Sequence, residues 1–338
     1  MKLVLAPLAG FTNAAFRKVC SDWGADLTYT EMVSAAGLAH GSSPTRHLME
    51  VLPGEGPVAC QIFGSKPEEL ALAAREATTL NRFVAIDLNA GCPMPKIVHE
   101  GAGAALVRNP QQIHDCLKAI KTETPLPVTL KTRPGPRPDK VLLWEILDAA
   151  ESAGCAGLTL HARFTSQMHG GPVHLDLLSE LVSRAKIPIT GNGSVVDAAT
   201  LYRMEQTGVS AVMLGRAAVS SPWIFTDLRQ VGHTDETANP QRRIDLQEKS
   251  LAMHLDNLKN LHAQLIERFP NDHVPSLDGF VCIFVHLHLF RYFNGRPGSA
   301  ALRHQLTRIR TLKAFLQAIK DCQLTSSSYT TNQLERKE

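Results

Sequence analysis

Short apolar runs alternate with amphipathic stretches through the first 230 residues of the chain. The runs at 3–6, 27–30, 58–63, 84–89, 128–131, 158–161, 189–190 and 211–214 read as strands covered on both faces. Between them, 67–80, 110–122, 141–153, 175–185 and 196–207 have the spacing of helices, and Pro67 and Pro110 stand where a first helical turn tolerates proline. Eight strands alternating with helices over this length predict a (β/α)8 TIM barrel. A doubly wound sheet shares the alternation, but its usual GxGxxG after the first strand is absent.

From residue 241 the pattern changes. Segments 242–269, 276–293 and 299–321 predict helices with no strand between them, and the turn NGRPGS at 294–299 separates the last two. The expected organisation is a catalytic barrel at 1–230, a linker at 231–240, a small C-terminal helical bundle at 241–324 and a polar tail at 325–338.

Composition narrows the class. A 44% hydrophobic and 20% charged chain of 338 residues is globular rather than disordered. Apolar runs fall short of the ~18 residues of a membrane span, and Pro7 and Gly10 interrupt any signal-peptide core. The seven cysteines (20, 60, 92, 116, 155, 282, 322) are odd in number, scattered and free of CxxC pairs. That argues against a disulfide framework or a metal site and predicts a reducing cytoplasm.

Charge is uneven. Residues 1–230 carry 21 Lys+Arg against 21 Asp+Glu, whereas 291–320 holds seven basic residues and no acidic one. Such a stretch suits a polyanion, and equally a solvated helix face.

In a TIM barrel the chemistry lies just after each strand. Pro7, Leu8 and Ala9 follow the first and would bring backbone close to the barrel mouth. Gln61 is a polar residue inside the third and needs a partner, either a ligand or a backbone group. The segment DLNAGCPMPK at 87–96, with Asn89, Cys92 and Lys96, opens a long Gly/Pro-rich connection of the kind that carries function. Cys92 could serve as a general acid, or as a nucleophile if its pKa were lowered. Lys131 with Arg133, and His161 with Arg163, share strand faces by the two-residue period and would make the mouth cationic. Asn192 and Gly193 after the seventh strand, with Gly215 and Arg216 after the eighth, are placed to bind a phosphate. Together these residues fit flavin mononucleotide (FMN), with Lys131 stabilising the negative charge of its reduced form.

The motifs APLAGFTNAAFR (6–17), QIFG (61–64), DLNAGCPMPKI (87–97), GAGAALVRNP (101–110), KTR (131–133), HAR (161–163), GNG (191–193) and LGR (214–216) resemble the tRNA-dihydrouridine synthases. RYFNGRPGSAALR at 291–303 resembles their helical domain. The resemblance implies an FMN-dependent enzyme that reduces the C5=C6 bond of uridine in tRNA, with NADPH as reductant. Cys92 matches the acid that protonates C5. Pro7, Leu8, Ala9, Gln61, Lys131, His161, Asn192, Gly193, Gly215 and Arg216 match flavin contacts. Asn89, Lys96, Arg133, Arg163, Arg291, Arg296 and Arg303 are expected to face the tRNA. The chain departs from the family pattern at Leu8, Pro134, Phe164 and Ser194, which leaves the thiol and the cations intact. The expected partner is tRNA, without membrane or metal, and the expected state is a monomer. A flavin barrel acting on a small pyrimidine or enoate, an RNA-binding module and a Schiff-base aldolase on Lys131 are the alternatives.

Overall fold

The computed structural model describes residues 1–230, 240–292, 304, 308–314 and 317–318. The expected linker at 231–239, the turn at 294–299, Arg296, Arg303, Cys322 and the polar tail lie outside the described residues. The chain divides into two compact units. Residues 1–218 and 223–230 belong to the first, and 219–222 with the described residues from 240 onward to the second.

In the first unit nine strands are seen among the described residues, all parallel: β1 (Lys2–Leu5), β2 (Thr28–Tyr29), β3 (Val33–Ser34), β4 (Val58–Phe63), β5 (Ala85–Ala90), β6 (Val128–Thr132), β7 (Gly157–His161), β8 (Ile189–Asn192) and β9 (Ala211–Leu214). Hydrogen-bonded neighbours run β1-β9-β8-β7-β6-β5-β4-β2. A parallel bridge between Val4 and Leu27 joins the ends of that series, with Leu5 N–H donating to the Leu27 carbonyl at 2.9 Å. The result is an eight-stranded (β/α)8 barrel. The extra strand, β3, pairs with β4 and is two residues long.

Helices begin where the sequence supplies caps. The Asn13 side chain accepts from Phe16 N–H ahead of the helix Ala14–Asp22, and Asn109 does the same for Gln112 ahead of Pro110–Thr122. The helix expected from 196 starts at Ala198 instead, because Asp197 caps it by accepting from Thr200 N–H at 2.8 Å. The helix expected from 141 starts at Leu143. Before it, Gly135 passes so close to the Lys140 carbonyl that a Cβ would stand 2.3 Å from that oxygen.

The barrel interior changes character along the strands. Low on the strands, Ala59, Ala85 and Tyr29 belong to an apolar cluster with Val4, Ala6 and Met213. Two residues further on, β4 and β5 bring in Gln61 and Asp87, and the next pleat brings Asn89. Along β6 the same face reads Thr129, then Lys131 (paired with Asn89), and along β7 Thr159 pairs with Lys131. Toward the C-terminal ends the lining is polar.

The second unit contains the helices Pro240–Arg268 and Leu277–Tyr292. Leu251, Leu255, Leu258, Leu261 and Leu265 are buried at three- and four-residue spacing, and Phe280, Val281 and Val285 are buried on the second helix. The continuous helix expected at 299–321 is not what forms: residues 308–311 are non-helical. Thr311 caps a new turn there, its hydroxyl accepting from Ala314 N–H at 3.3 Å, while Leu312 N–H is held by Asp278 at 3.2 Å. Among the described residues no helix is long and apolar enough to cross a membrane.

Candidate active site at the C-terminal ends of the strands

A chain of buried side chains, with the half-buried Thr129 donating into it, runs up one side of the barrel. Thr129 donates its hydroxyl to Asp87 Oδ1 at 2.6 Å, and Gln61 Nε2 donates to Asp87 Oδ2 at 2.7 Å. Gln61 Oε1 accepts from Asn89 Nδ2 at 2.8 Å. Asn89 Oδ1 then accepts from the backbone N–H groups of Gly91 (3.1 Å) and Cys92 (3.0 Å). Gln61 and Asp87 are fully buried, so the partner that Gln61 requires is this pair of side chains.

The Cys92 loop is clamped from several directions. Ala104 N–H donates to the Cys92 carbonyl at 2.9 Å, and Arg133 Nε donates to the Gly91 carbonyl at 2.7 Å. Cys92 is half-buried, while Cys20, Cys60, Cys116, Cys155 and Cys282 are buried. Burial pushes the Cys92 thiol above its ordinary pKa, against smaller opposing effects of the Met94 N–H and the Arg133 and Lys131 charges. A thiol so placed stays protonated at neutral pH, which favours a proton donor over a thiolate nucleophile.

Lys131 is a buried cation. Its side-chain hydrogen bond among the described residues goes to Asn192 Oδ1 at 3.1 Å, and Asn192 Nδ2 donates in turn to the Met213 carbonyl at 2.8 Å. Burial, helped by Arg133, pushes the Lys131 ammonium down to about 8, against the pull of Asp87. An ammonium with three donors and one protein acceptor is suited to an electron-rich ligand edge. His161 is held far below its ordinary pKa by burial and then by the Lys131, Arg133 and Arg163 charges, so its ring is neutral. His169 lies over it, with ring centroids 6.1 Å apart and planes within 19°.

The two arginines serve the loops. Arg133 is buried, and its Nη1 donates to the carbonyls of Arg163 and Phe164 at 3.2 and 3.1 Å. Arg163 Nε donates to the Gly171 carbonyl at 3.0 Å and Nη2 to Ser194 Oγ at 2.6 Å. Arg216 is exposed, and its Nη2 donates to the His169 carbonyl at 3.1 Å. After β8, Gly193 and Ser194 both have positive φ (141° and 54°). Their N–H groups have no partner among the described residues. Free donors here, with the Arg216 guanidinium after β9, have the chemistry of a phosphate cradle. The buried ammonium fits the ring edge of a flavin mononucleotide that gains negative charge on reduction, and these free N–H groups fit its phosphate.

The remaining predicted residues fall as follows. Pro7 and Leu8 are half-buried and Ala9 exposed on the loop after β1. That loop is pinned by Thr12 Oγ1 accepting from Leu8 N–H at 3.0 Å and by Glu31 accepting from Gly10 N–H at 2.5 Å. Gly215 is half-buried beyond β9, and Lys96 is exposed on the short helix Pro95–His99. Arg291 is exposed at the end of Leu277–Tyr292, in the other unit. Asp87, Thr129 and His169 join the site although the sequence pattern does not single them out, and so does Ser194, which the sequence marks only as a departure from the family pattern. The two-residue period that links Lys131 to Arg133 also links Asp87 to Asn89, and that signal could have found the first of them.

Comparison with known proteins identifies the family. The family model "Dihydrouridine synthase (Dus)" matches residues 4–327. The "Probable tRNA-dihydrouridine synthase" of Treponema pallidum is 37% identical over 238 residues, 67% of this chain and 69% of its own length. The "tRNA-dihydrouridine synthase B" of Shewanella oneidensis is 34% identical over 278 residues, 81% of this chain and 85% of its own. The protein of the same name from Escherichia coli K12 is 34% identical over 240 residues, covering 71% and 74%. A match to nearly every residue of the barrel and to most of the helical segment after it means that this chain belongs to the dihydrouridine synthase family.

Proposed function

We propose that the chain is a flavin-dependent oxidoreductase that reduces uridine in tRNA to 5,6-dihydrouridine. Family membership supports the reaction, and the relatives named above support tRNA as the substrate. The observation that carries the chemistry is a thiol held protonated on a clamped loop at the end of β5, beside a buried ammonium on β6.

FMN would be held by Lys131 and His161 at its ring and by Gly193, Gly215 and Arg216 at its phosphate, and when bound would supply the hydride equivalent for C6, with NADPH as the electron source. Cys92 gives its proton to C5, so that one hydride and one proton saturate the C5=C6 bond, and the thiolate takes a proton back from solvent. The Lys131 and Arg133 charges stabilise that thiolate, as their downward pull on the Cys92 pKa indicates. Neutral His161 can donate or accept a hydrogen bond without adding a further charge. Asn89 and Arg133 fix the backbone that leads into the thiol, and Ala104 N–H holds the carbonyl that follows it. A uridine stacked within tRNA must swing out to reach this depth.

Residues 1–230 form the catalytic part of this reading, and 241–324 the part that holds the tRNA backbone. Arg308, Arg310 and Lys313 are exposed in that segment and suit phosphate contacts. The enzyme acts in the cytoplasm, where its substrate is. The test is to map dihydrouridine in tRNA from cells with the gene, without it, and with Cys92→Ala. Dihydrouridine that vanishes at particular positions in the last two supports the reading. Unchanged tRNA, or a purified protein without flavin absorbance, overturns it.

A further inference from the structure

The buried chain below Cys92 has a direction. Asp87 is at its foot, and when ionised a carboxylate can only accept. Burial raises its pKa to about 6, so it is ionised at neutral pH despite its depth. Both of its neighbours donate to it, Thr129 at 2.6 Å and Gln61 Nε2 at 2.7 Å. Gln61 must therefore turn Oε1 toward Asn89, and Asn89 must answer with Nδ2. That leaves Asn89 Oδ1 facing the N–H groups of Gly91 and Cys92. Were Asn89 reversed, its NH2 would confront two N–H donors, and the turn that presents the thiol would lose both bonds. Water cannot correct the error, because Gln61 and Asp87 are fully buried and Asn89 is 5% exposed.

We infer that Asp87 is a positioning residue whose acceptor-only end sets the orientation of the Gln61 and Asn89 amides and, through them, the seat of the Cys92 thiol. Its effect on turnover rests on Cys92 being the proton donor, but the seating of the thiol does not. The experiment therefore reads the thiol directly. Iodoacetamide alkylation of Cys92 is followed by mass spectrometry of the Cys92 peptide in the folded full-length protein. Asp87→Leu removes the acceptor, and the Cys92 alkylation rate should change by tenfold or more. Asp87→Asn keeps an oxygen for Gln61 Nε2, with its amide turned to the Thr129 hydroxyl, and should stay within threefold of the parent. In tRNA turnover, Asp87→Leu should lower kcat tenfold or more with KM within about threefold.

The inference is overturned if Asp87→Leu alkylates within twofold of the parent. It is also overturned if Asp87→Asn is as altered as Asp87→Leu, because the charge and not the direction of bonding would then matter. Should Asp87→Leu not fold, Gln61→Met breaks the next link without touching a charge, and the same thresholds decide. If alkylation follows the expected pattern but the parent reduces no tRNA, the functional reading fails and the positioning role stands.

Discussion

A Cβ at Gly103 would stand 2.7 Å from the carbonyl oxygen of Cys92 and 3.2 Å from its Cβ. The two residues are eleven apart in sequence, yet one can approach the other only because it lacks a side chain. Gly103 also has φ +58°, the left-handed region. Gly103→Ala should lower stability by about 1–2 kcal/mol through the backbone alone, with the clash adding to that. It should also slow dihydrouridine formation by more than the fraction unfolded accounts for. Urea denaturation beside single-turnover kinetics checks both, and parental values in each would mean that the loop has slack.

Removing the thiol separates the two halves of the reaction. Cys92→Ala should leave reduction of the flavin by NADPH within a few-fold of the parent and lower transfer to tRNA by about 10²–10⁴, the range for losing a positioned acid. Because burial raises the Cys92 pKa, the parent should hold its transfer rate into mildly alkaline solution and decline only above the ordinary thiol range. Stopped-flow at about 450 nm on each half-reaction reads this, and a decline already complete at about pH 7 would show the wrong protonation state.

Two buried charges give stability opposite slopes in separate pH windows. Asp87 has its pKa raised to about 6 by burial, so the folded state holds that proton more tightly than the unfolded chain, at about 3.9. Its contribution is fully present below pH ~3.9 and is lost as pH rises through 6. Lys131 is lowered to about 8, so its contribution is present above the unfolded value of about 10.4 and is lost as pH falls through 8. Urea denaturation without flavin should show Asp87→Asn removing a fall in stability between pH 4 and 6. Lys131→Met should remove a rise between pH 8 and 10. Each slope corresponds to at most one proton, and parental slopes in both variants would contradict the burial of these groups.

What the sequence can reveal follows the range of the interactions. All eight expected strands form, because a strand buried on both faces shows as an apolar run regardless of its neighbours. The Cys92 loop is visible because Gly and Pro mark unusual backbone. β3 is not, because two residues carry no periodicity. Asn192 reads in sequence as a phosphate ligand, but its side chain supports Lys131, 61 residues away, a pairing set by barrel register. Asp87 is in sequence one polar residue in a strand, since its meaning depends on Gln61 from β4 and Thr129 from β6 standing beside it. The break at 308–311 is hidden because apolar spacing continues through it.

The basic residues of the second unit can be tested by their salt dependence. Arg308 and Lys313 are exposed, with Arg308 Nη2 3.4 Å from His304 Nε2. A charge that neutralises a phosphate releases a counterion, whereas one on an idle solvated face does not. The double variant Arg308→Gln/Lys313→Gln should weaken tRNA binding and reduce the slope of log K against log salt by about one for each phosphate no longer neutralised. Flavin reduction by NADPH should be unaffected, since that half-reaction needs no tRNA. Filter binding between about 50 and 200 mM salt reads the slope, and an unchanged slope would place the tRNA backbone elsewhere on the protein.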